Sequence, residues 1–316
     1  MPVTLAQAKL NATTATDLRV IDEFRTSSLL DRLTFLDVVN PAGGGATLTY
    51  SYTRKATLGT AAFRALNSEY TPTEATKVPA SVDLKVLGGS FQIDRVIAKI
   101  GPAATGEVAF QMADKIQAAK ATFSDAVING DSSADADSFD GLSKILAGST
   151  TEVTTAVDWS GVMDEAKSYA VMDSLDEFLA LLDGQPGMII ANLKVIAKIK
   201  ASLRRAAQYV EKPGPLDTIR AFYGNTELVD AGKKAGTNTD VIPVTAGVSS
   251  VYAVRLGETG FHGVTTVGSN LVETWLPDFS KAGAVKTGEV EMGPVAVALK
   301  ATRAAGVLRN VRIAAP

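Results

Sequence analysis

Residues 106–142 read GEVAFQMADKIQAAKATFSDAVINGDSSADADSFDGL, and this stretch decides the fold. Its first part places apolar residues at alternating spacings of three and four, the period of one helix face. These residues are Ala109, Met112, Ile116, Ala119, Phe123 and Ala126. The pattern predicts a helix from Gly106 to Ile128, about six turns long, with Thr105 as its N-cap. Asn129-Gly130 is a typical stop signal.

Extended segments precede this helix. Tyr50 and Tyr52 alternate with polar neighbours, which predicts a strand. The segment Gly43–Lys77 is therefore predicted to form a long hairpin that carries few apolar residues of its own. An isolated hairpin is marginally stable in water, so this one should need a neighbouring surface. A second extended run, Ser81–Ala98, leads into the helix.

A second unit is predicted to begin near Val153. Its helices and strands alternate, which is typical of a mixed α/β module. The predicted helices are 159–182 and 193–209, and the predicted strands are 188–191, 219–223, 241–244 and 251–256. The pattern becomes extended again from Leu271. We expect this tail to return as strands to the first unit.

The order of these elements resembles the major capsid protein of tailed bacteriophages, the Hong Kong 97-type shell protein. Three local stretches carry the resemblance: Gly88-Gly89-Ser90-Phe91-Gln92-Ile93, Ala126-Val127-Ile128-Asn129-Gly130-Asp131 and Phe139-Asp140-Gly141-Leu142. The implied fold is α+β. The parts implied are an N-terminal arm (1–34), an extended β-hairpin loop with its lead-in (35–80), a peripheral domain with a long spine helix (81–150), an axial α/β domain (151–270), and C-terminal strands returning to the peripheral domain (271–316).

The resemblance implies a structural protein that self-assembles as hexamers and pentamers into an icosahedral shell. The shell would enclose double-stranded DNA without sequence-specific binding, and it would be assembled in the cytoplasm of a bacterial host. The predicted arm starts almost at residue 1, whereas many members of the family carry a long N-terminal scaffold segment, so a scaffold is expected to be a separate protein or absent. Portal and decoration proteins are further expected partners. One alternative is an encapsulin-type compartment shell that holds a cargo enzyme. The other is a cytosolic α/β enzyme or binding module.

Composition argues against catalytic and metal-binding chemistry. The chain has no cysteine and one histidine, His262, so cysteine-based and multi-histidine metal sites are excluded. A catalytic triad could be built only around that histidine, whose neighbours contain no nucleophile–base pair. The formal net charge of −3 lacks the basic excess of nucleic-acid binders. The sequence therefore predicts no enzyme activity, no cofactor, no metal and no membrane span.

Two oppositely charged segments supply candidate contacts between subunits. Residues 158–183 contain seven acidic residues and one lysine, whereas residues 194–212 contain six basic residues and one glutamate. The candidates are Asp173, Asp176 and Glu177 in the first segment, and Lys194, Lys198, Arg204 and Arg205 in the second. They could be complementary faces of neighbouring axial domains. They could equally be two solvated helix faces, which contribute little.

The hairpin supplies three further contact candidates, Arg54, Lys55 and Arg64. They could pair with acidic patches on an adjacent subunit or belong to a solvated tip. Some members of the resembled family weld subunits through a Lys–Asn isopeptide bond assisted by a glutamate. Lys55 lies in the corresponding loop, but residues 277–309 contain no asparagine, so we expect no covalent weld.

An acidic loop follows the long helix. Asp131, Asp135, Asp137 and Asp140 have a spacing that superficially resembles a calcium loop. The loop lacks the central glycine, and a leucine stands where the bidentate glutamate belongs. We therefore expect a plain acidic loop.

Overall fold

The computed structural model describes residues 29–39, 48–97, 102–213, 219–266 and 271–314. Within these ranges the helices are α1 (Pro102–Asn129), α2 (Leu142–Ile145), α3 (Glu165–Ala180) and α4 (Leu193–Arg205), with 3-10 turns at Leu30–Arg32 and Thr302–Ala304. The strands are β1 (Phe35–Val39), β2 (Thr49–Lys55), β3 (Lys77–Asp83), β4 (Lys85–Asp94), β5 (Glu152–Thr154), β6 (Met188–Ala191), β7 (Val210–Pro213), β8 (Ile219–Tyr223), β9 (Thr226–Asp230), β10 (Val248–Val254), β11 (Phe261–Thr266), β12 (Val272–Trp275), β13 (Val285–Leu299) and β14 (Ala305–Arg312).

A five-stranded sheet is organised around the long strand β13. This strand pairs antiparallel with β4, β12 and β11, and β1 runs parallel to β11 at the edge. One face of the sheet packs against α1 through Phe91, Met112 and Val290. In the first half of β13, exposed residues on the opposite face alternate with buried residues, because successive side chains of a strand point to opposite faces.

A seven-stranded mixed sheet has the order β5-β14-β10-β6-β9-β8-β7. β6 runs parallel to β9 and β14 runs parallel to β5, whereas the other pairs are antiparallel. Helices α3 and α4 cover one face through an apolar cluster that includes Phe178, Ile189 and Ile199. Trp159 is fully buried in the same cluster.

A central core joins the two sheets. It contains Ile190 and Tyr252 from the seven-stranded sheet, Val297 from the five-stranded sheet, and Phe123 from α1. Leu29, at the start of the described residues, is also buried there. This cluster contains side chains from both sheets, whereas the clusters under α3 and α4 and beside α1 each belong to one sheet.

The long helix is present but begins earlier than predicted. It starts at Pro102, so the assignment of Thr105 as N-cap is wrong. Proline favours the first turn of a helix, because its fixed φ suits the helix and it has no N–H to leave unpaired there. The predicted stop is confirmed, since α1 ends at Asn129. Gly130 then donates its N–H to the Ala126 carbonyl at 2.9 Å.

The other helices are shorter than predicted. The predicted helix 159–182 begins only at Glu165, because Asp164 caps it by accepting the Lys167 N–H at 2.8 Å. Gly161 lies before this cap and has a φ of +70°, so the chain is not helical there. The predicted helix 193–209 ends at Arg205. Of the expected N-terminal arm (1–34), residues up to 28 lie outside the described ranges, and the described part contains the 3-10 turn Leu30–Arg32.

Three features of the strand pattern differ from the sequence analysis. The predicted strand 241–244 is irregular chain, in which Val241 and Ile242 are buried without a ladder. β9 and β11 were not predicted, because their sequences alternate weakly. Residues 271–316 were expected to return as strands to the first unit, but β14 pairs with β10 and β5 in the seven-stranded sheet. β14 has Val307 in the central core and Leu308 in the cluster under α3 and α4, so both of its faces are covered.

Among the described residues, no helix combines the length and the apolar character needed to cross a bilayer.

Candidate functional site

The predicted hairpin projects from the body of the molecule. Its strands β2 and β3 pair from Thr49↔Asp83 to Lys55↔Lys77. Every residue from Lys55 to Pro79 is exposed. This excursion carries large apolar side chains that water surrounds almost completely, among them Phe63 at 107% and Leu66 at 92% relative exposure. Large apolar side chains exposed together on one segment are typical of surfaces that contact another molecule.

The root of the hairpin is fixed to the body. Tyr52 donates its hydroxyl to the Leu299 carbonyl at 3.0 Å, and the Arg54 Nε donates to the Lys300 carbonyl at 3.0 Å. The Lys300 ammonium lies 5.7 Å from the centre of the Tyr50 ring. These contacts hold the orientation of β2 and β3, while the residues beyond Lys55 extend into solvent.

The three basic hairpin candidates therefore lie in different environments. Arg54 binds carbonyl groups of its own chain at the hairpin root. Lys55 and Arg64 are exposed, and the Arg64 guanidinium lies 5.4 Å from the centre of the Tyr70 ring. The structure does not bring these three side chains together.

Helices α3 and α4 lie side by side on the seven-stranded sheet with opposite charges on their exposed surfaces. Asp173 and Glu177 are exposed on α3, and Asp176 accepts a hydrogen bond from the Tyr223 hydroxyl at 2.6 Å. That bond and burial raise the pKa of Tyr223, with burial the larger cause. No ion pair joins α3 to α4 within the described ranges.

The basic candidates on α4 point away from the sheet. Lys194, Arg204 and Arg205 are exposed, and Lys198 donates to the Gly161 carbonyl at 2.8 Å. Their exposure follows from the helix period, because Val195, Ile196, Ile199 and Leu203 occupy the buried face. The two helices thus present an acidic and a basic surface next to each other.

The acidic loop after α1 is closed by a lysine of the same chain. The Lys144 ammonium contacts the carboxylates of Asp131 and Asp140, the latter at 3.0 Å. The hydrogen bond from Lys144 is the main reason why the pKa of Asp131 falls to about 2. The described ranges contain no group of three or more side chains placed to hold a metal ion.

A cavity of about 280 Å³ lies between the hairpin root and this loop. Arg54 and Asp140 line it, together with Tyr52 and Leu299. Arg54 is bonded to main-chain carbonyls and Asp140 to Lys144. Asp83 and Lys85, which also line the cavity, bind Thr49 and the Ala136 carbonyl, so all four charged groups have partners within the chain.

His262 is fully buried in β11 behind the hairpin root. Its ring makes an edge contact with Tyr50 at 6.1 Å between centroids. Burial, and then the nearby Lys300, lower the pKa of the imidazole below its usual value. Burial thus favours the neutral form of this imidazole, which packs between the hairpin root and the sheet.

Comparisons with solved structures show one fold. The SrpI encapsulin of Synechococcus elongatus PCC 7942 superimposes with a TM-score of 0.60 at 14% identity, covering 99% of this chain and 97% of that one. The capsid of the native GTA particle gives 0.62 at 12% identity, with 95% and 94% covered. The capsid of Myoviridae phage XM1 gives 0.59 at 11% identity, with 98% and 99% covered.

A scan against protein-family models finds no match, and a search of curated protein sequences finds none. The similarity is thus one of three-dimensional structure along nearly the whole chain. The two sheets, the long helix and the projecting hairpin together have the Hong Kong 97-type capsid fold.

Proposed function

We propose that this chain is the major capsid protein of a tailed bacteriophage, which assembles as hexamers and pentamers into an icosahedral shell around double-stranded DNA. The exposed hairpin carries the proposal, because no surface of the described residues covers its apolar side chains. Burying Leu58, Phe63, Leu66 and Tyr70 on an adjacent subunit would contribute about 2 kcal/mol for each side chain. A rigid root and an extended tip suit a strap between subunits.

Each sheet, with the helices packed on it, corresponds to one domain of the proposed capsid subunit. The five-stranded sheet with α1 forms the peripheral domain, and the seven-stranded sheet with α3 and α4 forms the axial domain. Residues 1–34 form the N-terminal arm. In this proposal β14, which pairs with β10 and β5, is assigned to the axial domain, and β12 and β13 are the C-terminal strands that return to the peripheral domain.

Contacts around each capsomer would use the charged helices. A ring is built from heterologous contacts, in which one surface of a subunit meets a different surface of the next. The acidic surface of α3, with Asp173, Asp176 and Glu177, and the basic surface of α4, with Arg204 and Arg205, are suited to this. Reversing both arginines to glutamate should impair assembly while the subunit stays folded.

The proposed protein is structural and performs no catalysis. Its net negative charge suits a shell that encloses DNA without gripping it in a sequence-specific way. Scaffold, portal and decoration proteins would be separate partners, and the shell would be built in the bacterial cytoplasm before it becomes part of the virion. Boiling shells in SDS should release monomers, because no Lys–Asn weld is expected.

A second candidate is an encapsulin-type compartment. The encapsulin match, which covers 99% of this chain, favours it. The two candidates differ in what the shell contains. Particles from the native source that contain double-stranded DNA support the phage capsid, whereas particles that contain a cargo enzyme support the compartment.

Negative-stain electron microscopy and sedimentation velocity of the purified protein test the proposal. The wild-type chain should form closed particles or capsomer rings, alone or with a co-expressed scaffold. The variant with Phe63→Ser and Leu66→Ser should lose them but remain a folded subunit. Val162→Ser, which alters an apolar residue that is 80% exposed outside the hairpin, is the control and should assemble. Normal particles from the hairpin variant would contradict the proposed role of the hairpin.

A further inference from the structure

Three pairs of like charges stand directly opposite each other across neighbouring strands. One of them, Lys212 and Arg220 between β7 and β8, is compensated, because Arg220 forms an ion pair with Glu227 at 3.5 Å. The other two pairs lie in the hairpin and in the five-stranded sheet. In the hairpin, Lys55 is the register partner of Lys77. In the five-stranded sheet, Glu273 on β12 is the register partner of Glu291 on β13. Register partners project from the same face of a sheet, about 5 Å apart, and like charges in this position are destabilising. Each pair therefore costs free energy in the isolated chain.

Neither pair is neutralised by the rest of the described chain. All four side chains are exposed, and none has an ion-pair partner among the residues of the ranges given above. Glu289 adds a third carboxylate to the acidic face, because it lies two residues from Glu291 on the same strand. Without an external partner, both pairs remain uncompensated.

One chain does not bring its own two pairs together. The hairpin root is bonded to the carbonyls of Leu299 and Lys300, at the end of β13. Glu291 lies eight residues before Leu299 on the same strand. At about 3.3 Å per residue this places it roughly 25 Å from the root. Lysine and glutamate side chains do not span such a gap.

We propose that the basic pair Lys55–Lys77 of one copy docks on the acidic pair Glu273–Glu291 of a second copy. The two pairs have opposite charge, the same spacing across their strands and open surroundings. This inference rests on the proposed shell function and names the surface on which the hairpin lies. The charge contact would set the position of the hairpin, while the apolar tip supplies buried area.

A cross-linking experiment tests the contact directly. The chain has no cysteine, so a variant with Lys77→Cys and Glu291→Cys contains only the two thiols of interest. Oxidised particles of this variant should give a ladder of linked chains on a non-reducing gel. A variant with Lys77→Cys and Asp173→Cys, which places the second thiol on α3, should stay monomeric on the gel. Well-formed particles without a ladder in the first variant would overturn the inference.

Charge reversal supplies a second, independent test. Lys55→Glu with Lys77→Glu, or Glu273→Lys with Glu291→Lys, places like charges against each other and should lower the particle yield by about tenfold or more. The four changes combined in one chain should restore assembly. The inference is contradicted if reversing one of the two charge pairs alone leaves the particle yield unchanged, or if the fourfold variant fails to restore assembly.

The wild-type control separates the two levels of the argument. If the wild-type chain forms no particles under any condition or with any scaffold, the proposed shell function fails. If the wild type assembles and the reversed variants assemble equally well, the shell function stands and only the docking of the two charge pairs is overturned.

Discussion

At the scale of single residues, the backbone around Gly130 leaves no room for a side chain. A Cβ there would lie 2.2 Å from the Phe139 carbonyl oxygen and 2.5 Å from that of Ala126. Gly130→Ala should therefore destabilise the subunit by about 2–3 kcal/mol, measured by urea unfolding. Gly59→Ala is the matched control, because a Cβ there meets no atom within 4 Å. Equal midpoints for the two variants would contradict this account of the loop.

Lys144 gives a second prediction at this scale. Because the pKa of Asp131 is lowered from its ordinary value of 3.8 to about 2, this carboxylate stabilises the fold above pH 3.8, and the stabilisation is lost as the pH falls towards 2. Lys144→Met removes the main cause of the shift. The melting temperature of unassembled wild-type subunits should exceed that of the variant most above pH 4, and the difference should shrink towards pH 2. Lys200→Met, which breaks no ion pair in the described chain, should show no such trend.

At the scale of elements, the hairpin differs from every other pair of strands, because its residues beyond the root contact no other part of the described chain. Exposed segments of this kind are preferred sites of proteolysis. Trypsin should cleave unassembled subunits after Lys55, Arg64 and Lys77, and should spare the buried Lys286. In assembled particles the same three sites should be cut at least about tenfold more slowly. Equal rates in both states would show that the hairpin is not covered by a neighbour.

At the scale of the whole molecule, the central core predicts cooperative unfolding. The chain has two tryptophans, of which Trp159 is buried under α3 and Trp275 is 45% exposed at the end of β12. Each reports on a different sheet. Trp159→Phe and Trp275→Phe each leave one tryptophan as reporter. Within each variant, urea unfolding followed by fluorescence and by circular dichroism should give the same midpoint. If the fluorescence midpoint of either variant differs from its own circular-dichroism midpoint, the two sheets unfold independently.

Local periodicity determined much of this fold. The three-and-four spacing of apolar residues predicts α1, the short apolar run 188–191 predicts β6, and the alternation around Tyr50 predicts β2. Such signals are legible because each depends on neighbours within one helix turn or one strand. The order of these elements was also sufficient for the resemblance to the capsid fold, which the structural comparisons confirm.

Only the tertiary structure decided how distant segments pair. β14 could have joined either sheet, because its apolar pattern suits both, and packing on both faces placed it beside β10. Arg54 read as a free cation in the sequence, yet it binds carbonyls 245 and 246 residues away. The opposition of Lys55 to Lys77 and of Glu273 to Glu291 depends on strand register, which is set by long-range contacts and not by local propensity.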